Sequence, residues 1–411
     1  MRARDFDVVL FGASGFTGRQ TVEYFARSAD TARLRWAIAG RHREALEAVV
    51  ASIGATTATP EILVADSRDQ ASIDAAVGRT HVLLSTAGPF RQYGTAVVDA
   101  CVRFKTHHVN ITGETAWVRA MIDRYHDRAA ASGTRIVPFC GFDSVPSDIG
   151  AYLLARHARL VLGASCREVR AYFQMRGGVN GGTIATAFDA THAATAAEMS
   201  DPFLLDASGE RDAHVEELSR DLRAPRYDAE LGTWIGPFVM APTNTRVVRR
   251  SASFARQWGE SYGPEFIYQE YLKFNPPFAR ARAMAATMAL GLFLSALRRP
   301  LTRRMLQRVL PSPGSGPSRE SIEHGWFTCE LRGSTTSGKR LRGVIRHQGD
   351  PSNHATVTYV CESALALVHG ADALPGGPER GGVLTPATAF GDVLVDRLRT
   401  VGVRIDIQSD P

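Results

Sequence analysis

The chain has 411 residues, with 48 Lys and Arg against 42 Asp and Glu, for a net charge of +6. Its 44% hydrophobic and 22% charged content excludes a disordered or fibrous chain and allows two or three domains with a sizeable core. The basic excess is too small for a nucleic-acid binder, and no nucleic-acid motif is present; it suits an acidic or phosphorylated partner or a membrane surface.

The start, MRARDFDVVLFGA, places basic residues before an apolar run. Asp5 and Asp7 interrupt that flank and the run ends in glycine, so it reads as a first strand, Asp7–Phe11, not as a targeting signal. Gly12-Ala13-Ser14-Gly15-Phe16-Thr17-Gly18 follows, then a helical pattern from about Gly15 to Ser28. Strand, glycine turn and helix make a dinucleotide-binding pattern. Gly12 permits the turn, Gly15 a close pyrophosphate and Gly18 helix–strand packing, while the helix N-terminus favours the anion.

Alternation continues. Strands are predicted at Leu34–Ala39, Glu61–Val64, His81–Ser85, His108–Ile111 and Arg135–Pro138. Helices are predicted at Arg43–Ile53, Gln70–Val77, Thr95–Phe104 and Thr115–Ser132. Short strands separated by helices define an α/β fold, a Rossmann-type doubly wound parallel sheet over residues 1–150.

Residues 151–375 read as a second, α+β domain carrying an antiparallel sheet. Asp148–His157 has a helical pattern and Arg167–Met175 alternates like a strand. Arg176–Gly182 is a turn opening a helical run, Thr183–Met199, and residues 201–265 are turn-rich. Glu323–Arg332 and Lys339–His347 are expected to pair, with Ala355–Val360 as a third strand. The loop 311–318, PSPGSGPS, is punctuated by Pro and Gly. The segment 376–411 contains a helix, Pro386–Val401, and returns toward the first domain.

The most apolar run, 283–297, would form a helix about 22 Å long, short of a bilayer core of roughly 30 Å. Arg280 and Arg282 precede it, and Arg298, Arg299, Arg303, Arg304 and Arg308 follow. A buried or homodimer-interface helix is the simpler reading; peripheral membrane contact through 283–308 is the other. The five cysteines (Cys101, Cys140, Cys166, Cys329, Cys361) are scattered and odd in number. That suits a reducing, cytoplasmic setting and gives no disulfide frame or zinc site. The histidines have no ligand spacing, so no metal is expected.

After the second strand comes Gly40-Arg41, with no acid to hold a ribose 2′-hydroxyl. Arg41 suits a 2′-phosphate, which points to NADP(H). Asp66 and Ser67 would either meet the adenine amino group or cap the next helix. The fourth strand ends in Thr86-Ala87-Gly88-Pro89-Phe90, small residues that permit approach of the ribose and nicotinamide. Tyr93 and Gly94 follow near the expected ring; Tyr93 is a proton-donor candidate or a packed aromatic. Asp143 and Ser144 stand where such sheets bind ligands, as substrate or amide contacts or as turn residues, and Ser147 or Asp148 would cap the helix beyond. Glu114 would contact ribose or a substrate amine, or cap its own helix. Cys140 reads as a buried thiol.

These motifs, with Thr112-Gly113-Glu114 and the run Gly141–Asp148, resemble the saccharopine dehydrogenase-like oxidoreductases. Gly182-Thr183 and Gly382-Val383-Leu384-Thr385-Pro386-Ala387 are similar to its trans-acting enoyl reductase branch. The likeness spans nearly the whole chain and is weakest over 200–300. It implies NADP(H) as hydride donor and a substrate tethered to an acyl carrier protein or polyketide synthase. Reduction of an enoyl thioester would need a donor for the developing oxyanion and a proton source for the α-carbon. Two other functions stay open: an imine-forming reductase acting on an amino acid, and a non-catalytic NADP-binding, lipid-associated protein.

Overall fold

A computed structural model describes residues 4–54, 59–178, 198–206, 212–309 and 316–410. The predicted run Thr183–Met199, except its last two residues, and most of the loop 311–318 lie outside this set.

The first sheet holds seven strands in the order β13-β6-β5-β4-β1-β2-β3. They are β1 Phe6–Phe11, β2 Trp36–Gly40, β3 Glu61–Val64, β4 Thr80–Ser85, β5 His107–Asn110, β6 Arg135–Val137 and β13 Gly382–Val383. Every pairing is parallel, with Val9 opposite Ala37 on one side and Leu83 on the other. β1 is apolar along almost its whole length because both sheet faces are covered. Helices α1 Phe16–Arg27, α2 Arg43–Ser52, α3 Gln70–Val77, α4 Phe90–Phe104 and α5 Thr115–Ala131 make the crossovers. The strand order reverses between β1 and β4, so the ligand crevice of such a sheet falls at their carboxyl ends.

The second sheet also has seven strands, ordered β14-β12-β11-β7-β10-β9-β8. These are β7 Cys166–Arg176, β8 Arg226–Asp228, β9 Thr233–Pro237, β10 Ile267–Phe274, β11 Trp326–Thr335, β12 Arg340–Gln348 and β14 Arg404–Asp410. Its pairs are antiparallel except β7 with β10, which are parallel. The tail serves both sheets: β13 extends the first beside β6, and β14 edges the second beside β12.

Between the sheets lie α6 Val145–Val161, α8 Ala241–Gln257, α12 Thr356–His369 and α13 Pro386–Thr400; α7 Ala213–Leu218 and α11 Arg319–Glu323 are short surface turns. One hydrophobic core runs through both sheets, taking in Val8 and Leu10 of β1, Val169 and Phe173 of β7, and Leu331 of β11. Residues 355–360 are not a strand. They begin α12, in which every residue from Thr356 to Leu367 is buried. A β-branched start and burial all round erase the periodicity that marks a surface helix.

The turn-rich reading of 201–265 also fails at α8. The segment APTNTRVVRRSASFARQ is strongly polar, yet Ala241 and the thirteen residues Thr243–Ala255 are buried. Its arginines end on main-chain carbonyls. Arg249 donates to Pro202 O (2.6 Å), Ser219 O (2.8 Å) and Tyr268 O (3.0 Å). Arg250 donates to Leu205 O (2.6 Å) and Val383 O (2.8 Å). Each guanidinium satisfies loop carbonyls that would otherwise be orphaned.

The apolar run is helical over α9, Ala279–Arg298, followed by α10, Pro300–Val309. Contrary to the buried reading, only Ala279, Ala283 and Leu297 of α9 are buried in the chain.

Candidate active site

The glycine turn is built by close approach. Gly12 has φ +85°, and a Cβ there would lie 2.9 Å from Ala87 N. Only glycine fits this left-handed turn against the β4 loop. Gly12 N and Ala13 N donate to Ala39 O (2.9 and 3.2 Å), tying the turn to β2. A Cβ on Gly18 would overlap Gly12 O, so α1 can start this close to β1 only without one. The N-cap of α1 is Gly15, whose lack of a side chain leaves the first-turn amides, Phe16 and Thr17 among them, without a side-chain cap. Uncapped amides at a helix N-terminus attract an anion. Ser14 lies toward Gly40, where a Cβ would stand 3.6 Å from its hydroxyl.

Arg41, at the end of β2, is exposed. Among the described residues it has no hydrogen-bond or ion-pair partner. Thr86 N donates to Phe11 O (3.0 Å) and Gly88 N to Thr86 O (3.0 Å), so Thr86, Ala87, Gly88 and Pro89 fold back beside Gly12. The Gly12, Ala13 and Gly15 amides are spent inside the turn, so the anion site is the uncapped start of α1, and with a free guanidinium near it this fits a dinucleotide carrying a 2′-phosphate.

Asp66 Oδ1 accepts from Arg68 N (3.0 Å). Neither Asp66 nor Ser67 caps α3; Asp69 does, accepting from Ala71 N. Arg68 then donates to the Tyr93 hydroxyl (3.1 Å) and stands 5.4 Å above its ring. Arg68 thus joins the β3 loop to α4 and leaves the Tyr93 O–H free to donate. Glu114 is the N-cap residue of α5, but its side chain makes no cap hydrogen bond there. Its carboxylate accepts from Phe90 N (2.7 Å) and Arg91 N (2.8 Å), capping α4, whose N-cap is Pro89. Gly94 is buried, and a Cβ there would lie 2.8 Å from Trp117. Packing of α4 on α5 accounts for this glycine without any cofactor contact.

Beyond β6, Phe139 holds φ +65°, a strained conformation for a bulky residue. Phe142 N donates to Thr356 Oγ1 (3.2 Å), fixing the turn to α12. Asp143 is partly buried, its carboxyl pushed up to about 6 by burial. Among the described residues no hydrogen bond reaches it. Ser144 is fully buried and donates to Asn244 Oδ1 (3.0 Å). Asn244 donates to Glu270 Oε2 (2.9 Å), and the Tyr268 hydroxyl donates to Glu270 Oε1 (2.8 Å). Glu270 is pushed up to about 7, chiefly by burial. Ser144 is therefore committed to a buried chain from α6 through α8 to β10, and does not face a ligand freely.

Ser147 and Asp148 lie inside α6, which begins at Val145, so neither caps it. Asp148 accepts from the Ser251 hydroxyl and from Ala387 N (2.8 Å). It joins α6, α8 and α13, and burial pushes its carboxyl up to about 7. Cys140 is a buried free thiol, raised to about 12 mainly by burial. The residues that sequence reasoning missed are Arg68, Asn244, Tyr268 and Glu270. Alternation in IYQEYLKF puts Tyr268 and Glu270 on one strand face, a signal for the last two; Asn244 and Arg68 carry none.

Fold and site together define a two-sheet, nucleotide-dependent oxidoreductase. Residues 8–137 match the saccharopine dehydrogenase NADP binding domain. Over 416 residues the chain is 38% identical to the trans-acting enoyl reductase of Mycobacterium tuberculosis H37Rv, covering 97% of each chain. Over 424 residues it is 38% identical to that of Mycobacterium leprae, covering 98% of this chain and 97% of the relative. The chain belongs to the trans-acting enoyl reductase family and uses NADP(H). Among solved structures, saccharopine dehydrogenase (L-Glu forming) from Saccharomyces cerevisiae superposes with a TM-score of 0.54 at 12% identity, over 99% of this chain and 100% of that one. Homospermidine synthase from Legionella pneumophila, in complex with NAD, gives 0.52 at 10% identity, over 100% and 92%. Both likenesses concern the fold.

Proposed function

We propose that this protein reduces the C=C bond of an enoyl thioester carried on the acyl carrier of a polyketide synthase, as a separate chain acting in trans. The full-length identity to relatives bearing that name carries the reading. The glycine cradle and the free Arg41 support its choice of NADPH.

When bound, NADPH supplies the hydride. The 12–18 turn would hold the diphosphate through the uncapped amides at the start of α1, Phe16 and Thr17 among them, and Arg41 would hold the 2′-phosphate. Asp66 and Ser67 would flank the adenine, and Thr86, Ala87, Gly88 and Pro89 would let the ribose and nicotinamide approach. As charge develops on the thioester oxygen, a donor must meet it. Tyr93 takes that role, its phenol oriented by Arg68. Asp143 delivers the proton to the α-carbon, because burial raises its carboxyl toward neutrality and so enlarges its protonated fraction over that of a free carboxylate. Ser144 positions the Asp143 turn through Asn244 and Glu270. A cytoplasmic setting accords with five free, buried cysteines.

The test is NADPH oxidation with enoyl thioesters on a carrier protein and on pantetheine, with amino-acid and keto-acid pairs as controls. Turnover of the enoyl substrates, fastest on the carrier, is expected. Turnover of the amino-acid pairs alone would establish imine chemistry instead.

A further inference from the structure

Helices α9 and α10 present an apolar face that nothing in the described chain covers. Met284, Met288 and Leu292 recur every four residues along α9, so they share one side. Met288 and Leu292 are each 65% exposed. Leu301 and Met305 continue the face on α10 at 77% and 67%, and Phe278 precedes it at 78%. The opposite side of α9 packs on β9. Leu297 is buried with Phe293, Leu294 and Leu306, which joins the two helices. The apolar face is therefore held rigidly outward.

Charge sets the occupant. Residues 279–309 contain seven arginines and no acid, and the stretch 283–297 carries no charge at all. The cations stand at both ends of the apolar stripe. We infer that this face docks on an anionic lipid surface. Arg280 stacks on Trp234 and Arg282 donates to Asn275 O (3.2 Å), so the stripe sinks into the boundary between headgroups and acyl chains while the arginines from Arg298 onward reach the phosphates. A second copy of the chain would set one arginine cluster against another. A span is excluded because one side of α9 is already occupied by the second sheet, whereas a spanning helix would meet lipid there. The inference does not depend on the reductase reading, since it concerns a surface and not the nucleotide site.

The experiment is flotation of the full chain with vesicles of phosphatidylcholine, with and without phosphatidylglycerol, at low and physiological salt. Co-flotation with the anionic vesicles, weakened by salt, is expected. The doubly substituted M288E/L292E chain should stay at the bottom of the gradient. Arg298→Ala, Arg299→Ala and Arg304→Ala should each lower partitioning about fivefold. Unchanged melting and NADPH binding in these variants would show that the fold persists. Failure of the unaltered chain to float with anionic vesicles overturns the inference. So does a dimer, seen by light scattering, that M288E/L292E splits, or an acidic carrier protein whose binding to the face is lost in the same variant.

Discussion

Arg41 ends β2 in solvent, with no partner among the described residues and no acid after the strand to favour a free ribose hydroxyl. As the proposed partner of the 2′-phosphate it would make a charge-assisted contact, so Arg41→Ala should weaken NADPH binding by about 10- to 100-fold and leave NADH nearly unaffected. Calorimetry with both coenzymes checks this, and equal losses would contradict the assignment. Asp143 offers a second measurement. Its carboxyl sits near 6 because burial disfavours the anion. In the proposed role of proton donor it would work in its protonated form, so kcat/KM should fall as pH rises through about 6. Asp143→Asn should remove that limb and lower kcat by about 100-fold. A purely structural Asp143 would change the rate without moving the pH profile. Both proposals rest on position in the sequence: Arg41 directly follows β2, and Asp143 stands in the turn between β6 and α6. Ser144 stands as near to the motifs, yet its hydroxyl is taken up by Asn244, and Gly94 is required by its packing on Trp117.

At the scale of elements, α8 and α9 exchange the environments their compositions suggest. The polar α8 is buried and the apolar α9 is largely exposed. Burial of α8 is possible because Arg246, Arg249 and Arg250 find acceptors on distant loops, and Arg246 also pairs with Asp221 at 2.6 Å. Burial lowers Arg249 to about 9 and Arg250 to about 10, values that keep both charged at neutral pH. Arg249→Met should destabilise the protein by about 2–5 kcal/mol, since three carbonyls lose their donor inside the core. Urea unfolding measures this, and a change below about 0.5 kcal/mol would mean that water reaches those carbonyls. The segment gave no helix signal in sequence because nothing local names a carbonyl about 20 to 130 residues away.

For the whole molecule, the two sheets share a core and polar clasps. Asp148 of α6 holds α8 and α13, and Arg250 of α8 reaches β13 in the first sheet. Arg135 of β6 donates to Ala389 O (2.6 Å), Pro375 O (3.0 Å) and Gly377 O (2.6 Å), anchoring the tail. Neither sheet can lose its packing without exposing the other. Far-ultraviolet circular dichroism and tryptophan fluorescence should therefore report one coincident unfolding transition. Trp36 and Trp117 report on the first sheet and its helices, Trp234 and Trp326 on the second. Two separated transitions would show that the sheets are independent.

Alternation and the glycine turn pointed to a parallel nucleotide sheet, and Gly40-Arg41 after the second strand to NADP(H), since these signals lie between neighbours in the chain. Strand periodicity and a tight turn are short-range properties, and Gly12 and Gly18 are forced by atoms within the same βα unit or the adjacent strand end. The tertiary structure alone decided that 355–360 is helical, that Glu114 caps a helix other than its own, and which of two long helices faces water. Those outcomes turn on whether a polar group finds a partner, or an apolar face a cover, far away in sequence. Burial is a property of the assembled fold, and no local pattern encodes it.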